Sequence, residues 1–469
     1  MQDTYFDSKE FREILQRYED ALEQDENVFL DSEELTSIAE YYQAQGDTAK
    51  GLAAAEYALE LYSGATAPLL FKARVTLLHD NDPQKALEIV EQIDDKTDLD
   101  YYYLKAEIMI VENHNEAADL YLEESLEEVA DTDRPDFLLD TATLFADYEQ
   151  TDLAEKWLLK SDETTHPDYR ELKARIHYLR SEYAESEEIL NGLIDEAPYS
   201  ALYWDLLATV QLAQDRCNDS MTSSEYAIAI NPSDDEALLN KANVLMRLNN
   251  FEEALRYYER YSEVCPMKEA GELYQGECLL NLERLREASF HLLMAEKMAR
   301  KESPLLPEIY QYLAFCFCKS GNTDEALAFI DKTKDLACNH HEMLVVRGHV
   351  LLSGNRMEEA TQCFSEAMVE SGGANTVMMR IAMSLYDNNY LDMAYDLLTD
   401  MMEKNDHQLN YGYAYLAICA HDLGKREEYL QHLKTAVERD PQEAKAVLGP
   451  LFPDDIEPED FYQYATQQP

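Results

Sequence analysis

Residues 201–234 read ALYWDLLATVQLAQDRCNDSMTSSEYAIAINPSD, and residues 235–266 read DEALLNKANVLMRLNNFEEALRYYERYSEVCP. Laid over each other at an offset of 34, they align Ala208 with Ala242, Ser220 with Ala254, Ser224 with Tyr258 and Pro232 with Pro266. In both stretches a small residue is followed by another twelve positions later. Larger apolar side chains stand around them at helical spacing, as Trp204, Leu207 and Ala208 do, or Ala254, Tyr258 and Tyr261. Two helices approach closely where each carries a small side chain at the crossing. Each stretch therefore predicts a helical hairpin, closed by a proline that cannot continue the second helix.

The pattern extends in both directions. Ala39, Ala73, Ala106, Ala142, Ala174, Ala208, Ala242, Gly276, Ala314, Gly348, Ala382 and Ala417 recur at intervals of 32 to 38 residues. Twelve residues after them stand Gly51, Ala118, Ala154, Ser186, Ser220, Ala254, Ala288, Ala326, Ala360 and Ala394. The second unit reaches Ala86 one residue late, and the twelfth has Tyr429. Polar turns such as Gln45-Gly46-Asp47, Asn249-Asn250, Gly354-Asn355 and Leu423-Gly424-Lys425 separate the paired segments. Gly and Asn suit a helix end because they tolerate the left-handed conformation. Pro198, Pro232 and Pro266, spaced by 34, and then Pro441 are expected to close second helices.

A 34-residue helix–turn–helix unit with these small, aromatic and proline positions resembles the tetratricopeptide repeat. The resemblance implies an all-α fold, an α-solenoid wound as a right-handed superhelix. Its register places about twelve repeats in residues 32–440, starting near 32, 66, 99, 135, 167, 201, 235, 269, 307, 341, 375 and 410. Residues 1–31 are expected to form an N-terminal cap, with Phe11, Ile14, Leu15, Tyr18 and Leu22 on one helix face. Residues 441–469 are expected to form a C-terminal cap, with a last short helix holding Phe461, Tyr462 and Tyr464. The 38-residue interval contains Lys301-Glu-Ser-Pro-Leu-Leu-Pro307, the candidate hinge.

The formal net charge is −56, from 95 Asp+Glu against 39 Lys+Arg. Such a chain repels phosphate, so nucleic acid and anionic membrane surfaces are excluded as expected partners. Disorder is not implied, because 46% of residues are hydrophobic and sit at periodic positions. Gly and Pro number only 14 each in 469 residues. Those shares lie below the usual levels of about 7% and 5% and favour long helices over many short strands. The N-terminal sequence shows no signal-peptide pattern, and no run approaches 18 apolar residues. Eight cysteines without a signal read as reduced thiols, so a cytoplasmic location is expected.

Few motifs carry chemistry. The sequence has no Walker loop, GxGxxG, GxSxG or HExxH. His340-His341-Glu342 lacks a second His at i+4, and Asp131 to Ala142 lacks the Gly and bidentate Glu of a calcium loop. Cys278, Cys316 and Cys419 each follow the small position by two residues, which predicts buried core thiols. Neither catalysis, metal nor cofactor is expected.

The resemblance also points to a surface. In proteins with this repeat, positions 2, 5, 9 and 12 of the first helix line the concave groove. In the last four units they hold Glu308, Gln311, Phe315, Cys318; Glu342, Val345, His349, Leu352; Thr376, Met379, Met383, Tyr386; and Tyr411, Ala414, Ile418, His421. The candidate binding residues are Gln311, Phe315, Val345, His349, Leu352, Met379, Met383, Tyr386, Ile418 and His421. The alternative is that this stripe packs internally. The two-carboxylate clamp of some relatives is not assembled, since Leu239 stands where Lys is needed, although Asn240, Asn243 and Arg380 match in part. Three readings follow: a scaffold for a protein or peptide, apolar or basic; an acidic chaperone for a basic client; and a receptor sensing a peptide or other ligand.

Overall fold

The computed structural model of the protein describes residues 5–6, 8–24, 28–301, 303–453 and 456–467. Glu302 of the candidate hinge and the acidic pair Asp454-Asp455 lie outside the described residues. The described residues form 27 α-helices and one short 3-10 turn, with no strand. Helix α1 is Lys9–Glu23. Seven hairpins follow: α2 Ser32–Ala44 with α3 Thr48–Leu61, α4 Thr66–Leu78 with α5 Pro83–Val90, α6 Leu99–Val111 with α7 Asn115–Leu126, α8 Arg134–Asp147 with α9 Thr151–Leu158, α10 Pro167–Leu179 with α11 Tyr183–Glu196, α12 Ala201–Ala213 with α13 Cys217–Ile230, and α14 Asp235–Arg247 with α15 Phe251–Val264. Five more are α16 Lys268–Asn281 with α17 Leu285–Met298, α18 Leu306–Lys319 with α19 Thr323–Asp331, α20 His340–Ser353 with α21 Met357–Glu370, α22 Asn375–Asp387 with α23 Leu391–Lys404, and α24 Tyr413–Asp422 with α25 Arg426–Arg439. Helices α26 Pro441–Leu448 and α27 Pro458–Gln467 end the chain.

The small residues sit where the paired helices cross. Every member of the first series, Ala39 to Ala417, is buried, and so is every member of the second. Ser220 Oγ donates to the Ala208 carbonyl at 2.7 Å, and Ser186 Oγ to the Ala174 carbonyl at 2.8 Å. A hydroxyl there fits the crossing and meets its own hydrogen-bond need, so serine can replace alanine. Gly348 needs its missing Cβ, because an added carbon would lie 2.2 Å from the Phe364 ring.

One left-handed residue stands in the turn of each hairpin. Gly46, Asn81, Asn113, Asn249, Gly321, Asn355, Asn389 and Gly424 are joined by Glu149, Ser181, Asp215 and Glu283. Of the last four, only Asp215 has a side chain that tolerates the conformation. In Gly354-Asn355 it is Asn355, not the glycine, that takes the positive φ. Pro198, Pro232 and Pro266 each follow the end of a second helix by two residues. Pro441 does the same and also opens α26, where its missing N–H costs nothing. Several of the many aspartates cap helices: Asp31, Asp47, Asp82, Asp98, Asp234 and Asp440 each accept a backbone N–H at a helix start.

The chain divides into two compact units, Met1–Met267 and Lys268–Pro469. The first is built on buried Phe11, Tyr18, Leu35 and Ile38, then Leu104, Phe137, Phe145 and Trp157, then Leu190 and Leu207. Leu22, expected on the buried face of α1, is exposed in the last turn of that helix. The second has a core running from Ala314 to Ala465, closed by Phe461 stacked on Phe452 at 4.0 Å, with Leu273, Leu292 and Ile309 also buried. The segment 301–307 lies inside this second unit.

Candidate functional site

In each unit, consecutive first helices pack side by side, α8 on α10 and α10 on α12, and α18 on α20 and α20 on α22. Side chains between them form a cleft in each unit. The cleft of the second unit measures about 180 Å3. It is lined by Phe315 of α18, Val345, Val346 and His349 of α20, and Arg380, Met383, Ser384 and Asp387 of α22. Four of the ten sequence candidates therefore meet here: Phe315, Val345, His349 and Met383.

The polar groups of this cleft are held in place. The Phe315 and His349 rings meet edge to face, with centroids 5.7 Å apart. Asn388 bonds to the Ser384 carbonyl and to the Ser353 hydroxyl, and its Nδ2 lies 3.5 Å from His349 Nδ1. With Nδ1 accepting from the amide, the assigned tautomer keeps the proton on Nε2. Burial pushes the His349 pKa down, against the pull of the Asp387 carboxylate. The imidazole is thus neutral at neutral pH. The surrounding protein pushes the Asp387 pKa up. Arg380 is already paired with Glu342.

The other candidates lie elsewhere. Leu352 and Met379 are buried in the core, where no partner reaches them without repacking. Gln311 is half-buried, one turn before Phe315, outside the cleft. Tyr386 and His421 share a residue that sequence reasoning did not single out. Tyr386 donates to Asp422 Oδ2 at 2.7 Å, and His421 Nδ1 lies 2.8 Å from Asp422 Oδ1. Ile418 is half-buried against the core. Val345 is buried and lines the cleft.

A second cleft, in the first unit, measures about 290 Å3. Its walls come from Ala146 and Asp147 of α8, Arg175, Tyr178 and Leu179 of α10, and Leu206, Thr209 and Val210 of α12, with Ser186 and Leu190 of α11 behind. Sequence reading missed it. The signal was available, since Arg175 and Thr209 occupy position 9 of their repeats, as Phe315 and His349 do, and Ala146 and Tyr178 occupy position 12, as Cys318 and Leu352 do. Arg175 is held by Asp147 at 2.6 Å. Both clefts are smaller than the roughly 300–1,000 Å3 of sites that enclose drug-sized ligands. They suit single side chains of a bound segment.

The thiols are not poised for chemistry. Cys278, Cys316 and Cys419 are buried at their equivalent positions. Burial pushes the thiols of Cys316 and Cys419 up to about 11 and about 12, so they stay protonated. Among the described residues, no three His, Cys, Asp or Glu side chains are grouped as metal ligands would be. No described helix is long and apolar enough to cross a membrane.

A family model described as tetratricopeptide repeat matches residues 206–266 and 239–288. Over residues 206–288 the chain is similar to the tetratricopeptide repeat. The matched span covers α13 to α16 and the last part of α12. No curated protein matches the sequence. Among solved structures, the APC/C hetero-tetramer Cut9–Hcn1 is 16% identical at a TM-score of 0.38, over 96% of this chain and 98% of that one. PilW, a type IV pilus biogenesis factor, is 15% identical at 0.41, over 47% of this chain and 98% of that one. A tetratricopeptide repeat protein from Parabacteroides merdae is 14% identical at 0.38, over 62% of this chain and 100% of that one. These likenesses carry nothing about partners.

Proposed function

We propose that this chain is a non-catalytic scaffold that holds a protein or peptide segment against the face made by its first helices. The observation that carries the reading is the pair of side-chain-sized clefts, one within each unit, both built almost wholly from first-helix residues. A segment lying in either cleft would place one bulky side chain there, with His349 and Ser384 in the second unit, or Thr209 in the first, available for hydrogen bonds. Its contacts in the second unit would be Phe315, Val345, His349 and Met383. Gln311, Tyr386, Ile418 and His421 would flank them. The free cysteines suit a reducing compartment, in keeping with a cytoplasmic scaffold.

The net charge of −56 favours a basic client over an acidic one, the reading of an acidic chaperone or assembly factor. The test is affinity purification from native lysate with the full chain, its Phe315→Asp/Met383→Asp variant and its Tyr178→Asp variant. All three are first checked for helix content by circular dichroism. The expected result is a specific partner retained by the wild type and lost from at least one folded variant. A partner list unchanged by either substitution would overturn the reading.

A further inference from the structure

The cleft of the second unit holds hydrogen-bonding groups that the protein itself leaves unused. Ser384, on α22, lines it and is only 7% exposed, and among the described residues its hydroxyl has no partner. The Asn388 amide beside it is committed elsewhere. Its Oδ1 accepts from the Ser353 hydroxyl at 2.6 Å, and its Nδ2 donates to the Ser384 carbonyl at 2.8 Å and lies against His349 Nδ1. Buried hydroxyls are ordinarily bonded, so one left free on the wall of a cleft points to a partner brought by another molecule. The unpartnered Thr141 hydroxyl differs, because it is sealed from solvent and lines neither cleft.

Two more groups converge on the same space. Asn388 occupies His349 Nδ1, which leaves Nε2–H as a donor without an acceptor among the described residues. The Phe315 ring, edge to face with the imidazole at 5.7 Å, fixes its plane. Asp387, one turn after Ser384, stands at the exposed rim, and its carboxylate has no hydrogen bond or ion pair among the described residues. The remaining walls are apolar, from Phe315, Val345, Val346 and Met383.

Charge limits what can enter. Lys319, at the end of α18, acts through its charge on both His349 and Asp387. Arg380, at the rim, is paired with Glu342. Each cation is thus offset by a carboxylate, and the cleft has no net charge to draw in an ammonium or an anion. A purely apolar side chain would strip water from Ser384, His349 and Asp387 and replace none of its hydrogen bonds. A primary amide would bring hydrogen bonds but no ring to lie on Met383 and Phe315. A phenol brings both. Its ring suits a thioether and an aromatic neighbour, and its hydroxyl can accept from His349 Nε2 while donating to Ser384 or Asp387.

Building on the scaffold reading, we propose that this cleft is the seat of an unmodified tyrosine of the bound segment, with its ring against Phe315 and Met383 and its hydroxyl between His349 and Ser384. Phosphorylation of that tyrosine releases the segment, because the added negative charge faces the Asp387 carboxylate in a chain of net charge −56.

The test uses random twelve-residue peptides displayed on phage, selected on the full-length chain, on Ser384→Ala, on Met383→Asp and on Tyr178→Asp. Each variant is first checked for helix content by circular dichroism. An enriched peptide is then synthesised with Tyr, Phe, Gln or phosphotyrosine at the recurring position and titrated by fluorescence anisotropy. The expected result is a tyrosine at one recurring position in peptides from the wild type, and its loss on Met383→Asp. Phe in its place weakens binding about tenfold, the scale of a hydrogen bond to groups otherwise left buried and unpaired, and phosphotyrosine weakens it further. On Ser384→Ala the difference between Tyr and Phe shrinks to about threefold or less. The Tyr-to-Phe comparison on the wild type needs no protein variant, so it decides the matter even where a substitution disturbs folding. Equal binding by Tyr and Phe, tighter binding by Gln or phosphotyrosine, or a tyrosine preference untouched by Ser384→Ala overturns the tyrosine seat. Peptides without tyrosine that are lost on Met383→Asp or Tyr178→Asp uphold the scaffold reading while the seat falls. Peptides retained by both of those folded variants, or no enrichment on any form, overturn both.

Discussion

Glu283 adopts a φ of 58° between α16 and α17, a conformation that costs an L-residue with a Cβ roughly 1–2 kcal/mol. Nothing in the side chain repays that cost locally in the way Asn does. Glu283→Gly is therefore expected to raise the urea midpoint, with a gain of up to about 1 kcal/mol once glycine's larger unfolded-state entropy is subtracted. An unchanged or lower midpoint would show that the turn is held by other contacts. Asp205, buried on α12 with the Asp234 carboxyl facing it, supplies a second prediction, this one with a pH sign. Its folded pKa lies at about 8, above the unfolded carboxylate value of about 3.9. Between those values the folded state binds the extra proton, so stability falls as pH rises from 4 to 8 and levels off above. Asn mimics the protonated acid. Asp205→Asn is expected to lose less stability than the wild type between pH 5 and pH 8, measured by urea denaturation at each pH.

The element that decides the fold is the crossing of two helices at a small residue. At Gly348 the space is taken by Phe364 of the paired helix, and a Cβ would stand 2.2 Å from the ring. Gly348→Ala is expected to destabilise by about 1–3 kcal/mol, because a packed core resists an added carbon. Adding Phe364→Leu should recover part of that loss, and a double-mutant cycle with no coupling would refute the account. Ser220 and Ala254 fill the same slot in neighbouring units by different means, one with a hydrogen bond and one without. That interchange explains why small size, not residue identity, recurs along the sequence.

Over the whole molecule the acidic excess has more than one structural use. Part of it caps helices, as at Asp31 and Asp234. Part pairs with the few cations, as Glu91 does with Lys96 and Lys105, whose charges hold its carboxyl near pKa 2. The remainder is unmatched and sets a negative field. A partner recognised through that field is expected to bind at least tenfold more weakly when ionic strength rises from 50 mM to 500 mM, since screening shortens the reach of exposed charges. Salt-insensitive binding, read by anisotropy with a selected peptide, would leave the apolar clefts as the sole basis of recognition.

The all-α repeated fold was legible because crossing, turn and proline positions all obey local rules. A buried small residue every 34 or so positions needs no knowledge of distant contacts. Eight of the hairpin turns carry Gly or Asn at the left-handed residue. Glu149, Ser181 and Glu283 take the same conformation without a side chain that favours it, while Asp215 tolerates it as Asn does. The candidate surface was legible only in part. The resemblance to the tetratricopeptide repeat placed Phe315, Val345, His349 and Met383 at groove-facing positions of three helices, and packing gathered them in one cleft. The same register could not distinguish these from Leu352 and Met379, whose burial depends on how deeply the next helix sits. Nor could it show Asp205 stranded against Asp234, thirty residues away, since a pKa answers to everything packed around a group. The sequence by itself determined the helices, their pairing and the sign of the charge, because those follow from neighbours along the chain. Only the tertiary structure decided which residues remain reachable and which acid lacks a partner, because solvent access and electrostatic surroundings are set by contacts between helices.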